Sequence, residues 1–197
     1  MPLTVGVIAD THIPDRVSEL HPCIQPLFEE VGVSHILHAG DICSTQVIKQ
    51  LSRVAPVTAV RGNRDIMVPN LQMVEYVEVG GARIALVHGH GSLWKYLWDK
   101  WQFWFFGYQL KRYLPLLTRA AASAQAVVFG HTHHPELLMH EGRLLFNPGS
   151  ASFGYLDRGL PSLGFLHISD AGEVTGEIRI LEGFQVEKRK WVKKINI

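Results

Sequence analysis

Five short polar clusters in this sequence hold residues able to bind metal ions: Asp10-Thr11-His12, Gly40-Asp41, Gly62-Asn63-Arg64-Asp65, His88-Gly89-His90 and Gly130-His131-Thr132-His133. Carboxylate, imidazole and amide donors mixed in one set suit manganese, iron, zinc or cobalt better than magnesium or calcium. In an extended chain residues i and i+2 point the same way, so Asp10 with His12, and His131 with His133, would each present two ligands together. The glycines beside them permit tight turns and close backbone approach. Any one cluster alone reads as an ordinary polar turn. Five in succession, each following an apolar run, point to a shared crevice.

The runs that must carry these clusters alternate between strand and helix patterns. Residues 3–9, 35–38, 56–60 and 126–129 are short and rich in Val, Ile, Leu and Ala, as buried strands are. Residues 17–30 have helical apolar spacing, and 44–53 read as a helix with Ser44 or Thr45 near its N-cap. Three hairpins are signalled: 74–79 with 83–88 around Gly80-Gly81, 137–140 with 143–146 around Glu141-Gly142, and 163–168 with 174–181 around Asp170-Ala171-Gly172. βαβ units therefore open the chain and antiparallel hairpins close it, which predicts one α/β domain over 1–197 with mixed sheets. In such sheets ligands bind beyond the carboxyl ends of the strands, where all five clusters fall.

At 197 residues, 47% hydrophobic and 19% charged, the chain has ample material for one core, which excludes a disordered or fibrous chain. A net charge of +1 excludes a globally basic nucleic-acid binder, and no specific nucleic-acid partner is expected. Charge is uneven, however. Residues 93–119 carry five cations against Asp99, and 187–197 carry five against Glu187; with +4 on each, a total of +1 leaves −7 on the remainder. Cys23 and Cys43 cannot make a disulfide framework. The absence of a basic, apolar leader argues against export, so the expected location is cytoplasmic, with peripheral membrane contact as an option.

The clusters together resemble the calcineurin-like metallophosphoesterase superfamily. The matching motifs are Asp10-x-His12, Gly40-Asp41, Gly62-Asn63-x-Asp65, His88-Gly-His90 and Gly130-His131-x-His133, extended by Asn147-Pro148-Gly149-Ser150. The branch most similar is that of the small single-domain bacterial and archaeal phosphodiesterases. The resemblance implies a four-layer αββα sandwich of two mixed β-sheets flanked by helices. It implies two divalent transition metal ions, manganese foremost, with iron, zinc, cobalt or nickel as alternatives. Carried over by motif, one ion would lie among Asp10, His12, Asp41 and His133. The other would lie among Asp41, Asn63, His88 and His131, with Asp41 bridging. The implied activity is hydrolysis of a small phosphoester, most simply a phosphodiester, with a metal-bridging hydroxide attacking phosphorus in line. Two further functions follow from relatives of the same fold: a lipid-linked or nucleotide pyrophosphatase, and a non-catalytic scaffold like the retromer subunit.

One position departs from the pattern. Many relatives place His directly after the motif Asn, where this chain has Arg64. A permanently protonated Arg is a poor general acid but a good phosphate clamp. Arg64 is therefore a candidate substrate-binding residue, with a structural pairing to Asp65 as the alternative. His90 is a candidate proton donor or loop-positioning residue. His38 is expected to support Asp41, and His134 and Asn147 to lie near the cleft or in turns. His21, His35, His140 and His167 read as ordinary surface or structural residues.

Ten of the twenty residues 94–113 are aromatic. Trp94, Trp98, Trp101 and Phe105 recur at helical spacing. This aromatic-rich helical insert, at about 93–118, has three candidate roles. It could pack in the fold or in a homodimer, form a lid over the metal site, or lie at a membrane surface with Lys95, Lys100, Lys111 and Arg112 facing anionic lipid.

Overall fold

A computed structural model describes residues 2–91, 93–120, 123–154 and 159–194. Within the long aromatic helix the side chains of 93, 95–97, 99, 100 and 103 lie outside the described set, so Lys95 and Lys100 are placed only by their backbone.

Two five-stranded sheets face each other. The first comprises β1 (Leu3–Ile8), β2 (His35–His38), β3 (Val57–Ala59), β9 (Ser162–Ile168) and β10 (Val174–Ile180), in the order β10-β9-β1-β2-β3. β1, β2 and β3 are parallel, and β9 and β10 join antiparallel. The second comprises β4 (Val74–Val79), β5 (Ala82–Val87), β6 (Ala126–Val128), β7 (Glu136–His140) and β8 (Arg143–Asn147), in the order β4-β5-β6-β8-β7. Its centre, β5-β6-β8, is parallel and its edges are antiparallel.

Strand periodicity builds the layers. Val5, Val7 and Ala9 meet Ile84, Leu86, Ala126, Val128 and Phe146 between the sheets. The alternate residues face outward. Ile8 and Ile36 pack with Ile24 and Phe28 of α1 (Ile24–Val31) and with Val47 and Leu51 of α2 (Thr45–Leu51). Ala85, Val127 and Phe129 pack with Leu117 and Ala120. With both faces covered, the central strands are apolar at nearly every position, which is why they read as continuous runs. α3 (Leu93–Phe106) and α4 (Leu114–Ala120) connect β5 to β6. The fold is the α/β sandwich of two mixed sheets flanked by helices that the sequence predicts.

One local expectation changes. The helix expected over 17–30 occupies only Ile24–Val31. Pro22 disfavours helical backbone at His21, so the helix starts after it. The basic tail carries a hairpin of β11 (Phe184–Glu187) and β12 (Lys190–Lys193). Its turn residues, Lys188 and Arg189, both have positive φ. That conformation normally selects Gly, Asn or Asp, so nothing in the sequence marks the turn. Trp191 Nε1 donates to the Glu19 carbonyl at 3.0 Å. The ring of His21 packs edge-on against both Phe184 and Trp191.

Candidate metal centre

All five polar clusters meet at one end of the two sheets. The loops after β1 and β2 are laced together: Asp10 N–H donates to the Gly40 carbonyl and His12 N–H to the Asp41 carbonyl, each at 3.0 Å. The loop after β6 joins them where His131 N–H donates to Asp10 Oδ2 at 3.0 Å.

The extended-chain premise for paired ligands does not hold. Asp10, His12, Asp41, His131 and His133 all have positive φ, between 49° and 71°. This backbone costs an L-residue roughly 1–2 kcal/mol each. Surrounding hydrogen bonds hold it in place. The hydroxyls of Ser150 and Ser152 both donate to the Asp10 carbonyl, at 2.9 and 2.8 Å. Asn147 Nδ2 donates to Gly130 O and to Thr132 Oγ1, at 3.0 Å each, steadying the turn that carries His131 and His133.

Two groups of donor atoms result. In the first, His12 Nε2 and His133 Nε2 lie 3.1 Å apart. Asp10 Oδ1 is 3.4 Å from His133 Nε2 and 3.8 Å from His12 Nε2. In the second, His88 Nε2 is 3.1 Å from Asn63 Oδ1 and 3.5 Å from Asp41 Oδ1, while His131 Nδ1 is 3.0 Å from Asn63 Oδ1. Asp41 spans the two, because its Oδ2 lies 3.9 Å from His12 Nε2.

The residues fit cations on three observations. Asp10 Oδ1 is buried and has no hydrogen-bond partner, which is costly for a carboxylate left alone. His88 Nδ1–H donates to the Ala39 carbonyl at 2.7 Å, so its Nε2 presents a lone pair towards two oxygens that are themselves acceptors. The donor atoms are spaced close to the separations of about 3.0–3.4 Å expected around an ion with bonds near 2.1 Å. Asp10-His12-His133 and Asp10-Asp41-His88 are each compact enough to hold an ion.

Electrostatics match this arrangement at Asp10, His12 and His131, whereas burial pushes Asp41 up, and His88, although burial lowers it, is raised overall by the Asp41 and Asp10 carboxylates. Burial pushes Asp10 up, but His133, His88 and His12 outweigh it and hold its carboxyl below the usual range. Burial lowers His12 to about 3 and drives His131 well down, so both rings stay neutral and able to donate lone pairs.

Several roles differ from expectation. Asp65 does not pair with Arg64; it is fully buried and accepts the amides of Asp41 and Gly62 on Oδ2, at 2.9 and 2.7 Å, and of Cys43 on Oδ1 at 2.7 Å. It takes the supporting role expected of His38. His38 instead accepts the Gly40 amide at 3.2 Å and contacts Thr11 Oγ1 at 3.2 Å. Arg64 reaches Asp15, with Nη1 3.6 Å from Oδ2, while its amide donates to Asp41 Oδ1 at 2.8 Å. The His90 ring lies 5.3 Å from that of His88 and 6.2 Å from that of His131. His134 stacks on Tyr108 at 4.5 Å. Neither Asp65 nor the paired serines could be assigned these contacts from spacing. Glycine explains two close approaches: a Cβ on Gly40 would press on His88 Nδ1 at 2.7 Å, and one on Gly62 would overlap Asp41 Oδ1.

A family model described as the calcineurin-like phosphoesterase superfamily domain matches residues 3–171. The chain belongs to that superfamily. A probable metallophosphoesterase of Methanothermobacter thermautotrophicus is 34% identical over 180 residues, covering 89% of this chain and 91% of that protein. Among solved structures, the zinc complex of Vps29 from Entamoeba histolytica aligns with a TM-score of 0.67 at 25% identity, covering 90% of this chain and 99% of the other. An archaeal phosphodiesterase aligns with a TM-score of 0.61 at 21% identity, covering 90% and 100%. That last likeness concerns fold alone. As a member of the superfamily, this chain groups with phosphoesterase hydrolases that use divalent metals.

Proposed function

We propose that this protein is a dinuclear metal-dependent phosphodiesterase. The observation that carries the reading is Asp41, whose two carboxylate oxygens face different donor groups, Oδ2 towards His12 and Oδ1 towards His88. Asp10, His12, Asp41 and His133 would hold one ion; Asp41, Asn63, His88 and His131 would hold the other. Imidazole, carboxylate and amide donors without thiolate favour manganese, with iron, zinc, cobalt or nickel able to substitute. Such ions, when bound, supply a water of lowered pKa and a clamp on phosphoryl oxygens.

The chain's own groups do the rest. The Asp41 carboxylate would hold two cations close against their repulsion. Neutral His12 and His131, together with the Asn63 amide, would leave net positive charge for the phosphoryl group. Arg64, half-exposed beside Asp15, can swing to a substrate phosphate as a fixed cation. His90 stands beside His88 and His131, where it can orient a leaving group. A diester is preferred over a monoester because the motifs of this sequence resemble those of the small single-domain phosphodiesterases.

Hydrolysis of bis-p-nitrophenyl phosphate with added Mn²⁺ tests the reading, against p-nitrophenyl phosphate as the monoester. Turnover of the diester, lost in Asp41→Ala and His131→Ala, is the expected result. No turnover with manganese, iron, cobalt, nickel or zinc would favour a non-catalytic scaffold. The zinc complex of Vps29 makes that comparison necessary, since metal binding alone does not decide it.

A further inference from the structure

α3 presents an unusual surface. Trp94 and Trp104 are 80% and 86% exposed, and Trp98, Trp101, Phe105 and Phe106 are each more than half exposed. At about 100° per residue, Trp94, Trp98, Trp101 and Phe105 fall within an arc of about 60°, and Trp104 and Phe106 widen it to about 200°. Described ring contacts of these residues run among themselves, as in Trp98 stacked on Trp101 at 5.1 Å and Trp101 against Phe105 at 5.0 Å. The link from this segment to the metal centre comes later in the chain: Tyr108 stacks on His134, and Tyr113 meets His131 edge-on at 6.2 Å. The helix thus leaves the centre after His90 and returns to it, with its aromatic surface turned outward.

We propose that α3 is an interfacial helix that lies along an anionic lipid bilayer. Three observations select this occupant. The exposed residues are Trp, which favours headgroup depth, and Phe, which interfacial helices carry on their apolar face. The exposed arc is wider than the narrow stripe of a helix–helix seam, and suits a lipid surface that meets the whole outward half of the helix. Charge complements the surface, because 93–119 carry a net +4 within a chain of +1, and Lys111 and Arg112 follow the helix directly. A second copy of the chain would set +4 against +4. No described helix is long and apolar enough to cross a membrane, so α3 would lie in the interface.

The test is co-sedimentation of the full metal-loaded chain with vesicles of phosphatidylcholine alone, or mixed with phosphatidylglycerol. Binding to the mixed vesicles, stronger than to phosphatidylcholine alone, is expected. It should fall at least about tenfold in the combined variant Trp98→Ser, Trp101→Ser, Trp104→Ser and Phe105→Ser. A second readout needs no variant: brominated acyl chains should quench tryptophan emission of the native chain, with Trp191, held on Glu19, as the residual signal. Absent quenching, full binding by the folded variant, or a dimer that disperses in the variant without any vesicle binding would each overturn the proposal. Binding is read without turnover, so its failure leaves the phosphodiesterase reading intact.

Discussion

Asp10 Oδ2 accepts the main-chain amide of His131 at 3.0 Å, while its other oxygen, buried, faces His12 and His133 without a hydrogen. One oxygen ties two sheets together; the other is left for a cation. Asp10→Asn should keep the first contact and spoil the second, because an amide NH₂ repels a metal. We expect bound metal and kcat/KM both to fall at least about 100-fold, a loss at or beyond the upper end of that seen for outer partners of metal ligands. Elemental analysis of the purified variant measures it, and full metal stoichiometry would contradict the assignment.

Asp65→Asn should act on the fold before the metals. Three amides converge on this buried carboxylate, and an Asn side chain can accept on only one atom while its NH₂ faces a donor. Loss of charge-assisted hydrogen bonds of this kind costs about 1.5–3 kcal/mol each, so a combined loss of about 3 kcal/mol is expected. Urea unfolding of the metal-free protein measures it. A change below about 1 kcal/mol would show that the loop is held elsewhere.

Arg64→Ala should raise KM for the diester about tenfold or more at unchanged metal content, since a charge-assisted contact to phosphate is removed. Its partner Asp15 stands outside both donor groups. Arg64→Lys should recover part of the loss, because charge remains while the fork does not. Unchanged kinetics in Arg64→Ala would remove the residue from substrate binding.

Acid sensitivity should include His21. Burial lowers its pKa to about 4, below the value of about 6.5 of an unfolded chain. The unfolded state then binds the proton more readily, so stability is full above about pH 6.5 and falls as pH drops towards 4. At pH 5 the loss from this residue is about 2 kcal/mol. His21→Phe should flatten that part of the curve, as urea midpoints at pH 7.5 and pH 5 would show. An identical pH slope in both proteins would refute the role.

The strand ends were legible because apolar runs stop abruptly at polar, glycine-flanked clusters, and both sheets bury those runs on two faces. Ser44 announced α2, and its Oγ accepts the Gln46 amide at 3.2 Å. Other features had no signal. Helical spacing over 17–30 concealed the effect of Pro22. The Lys188-Arg189 turn uses residues that ordinarily avoid positive φ. At the centre, the motifs named the residues that meet, yet the reason they converge lies in left-handed backbone at Asp10, His12 and His133, which an extended strand would not give. Spacing also could not separate Asp65, which accepts three amides, from Asp41, whose oxygens face His12 and His88.

The braces on Asp10 come from Ser150 and Ser152, some 140 residues downstream, and β1 is completed on one side only by β9. A nascent chain emerging from the ribosome therefore has no half-built version of this centre. The hydroxyls that brace Asp10 are absent until three quarters of the sequence has been made. On the proposed function, metal loading would then follow synthesis of residues 150–152, from the ions available at that moment.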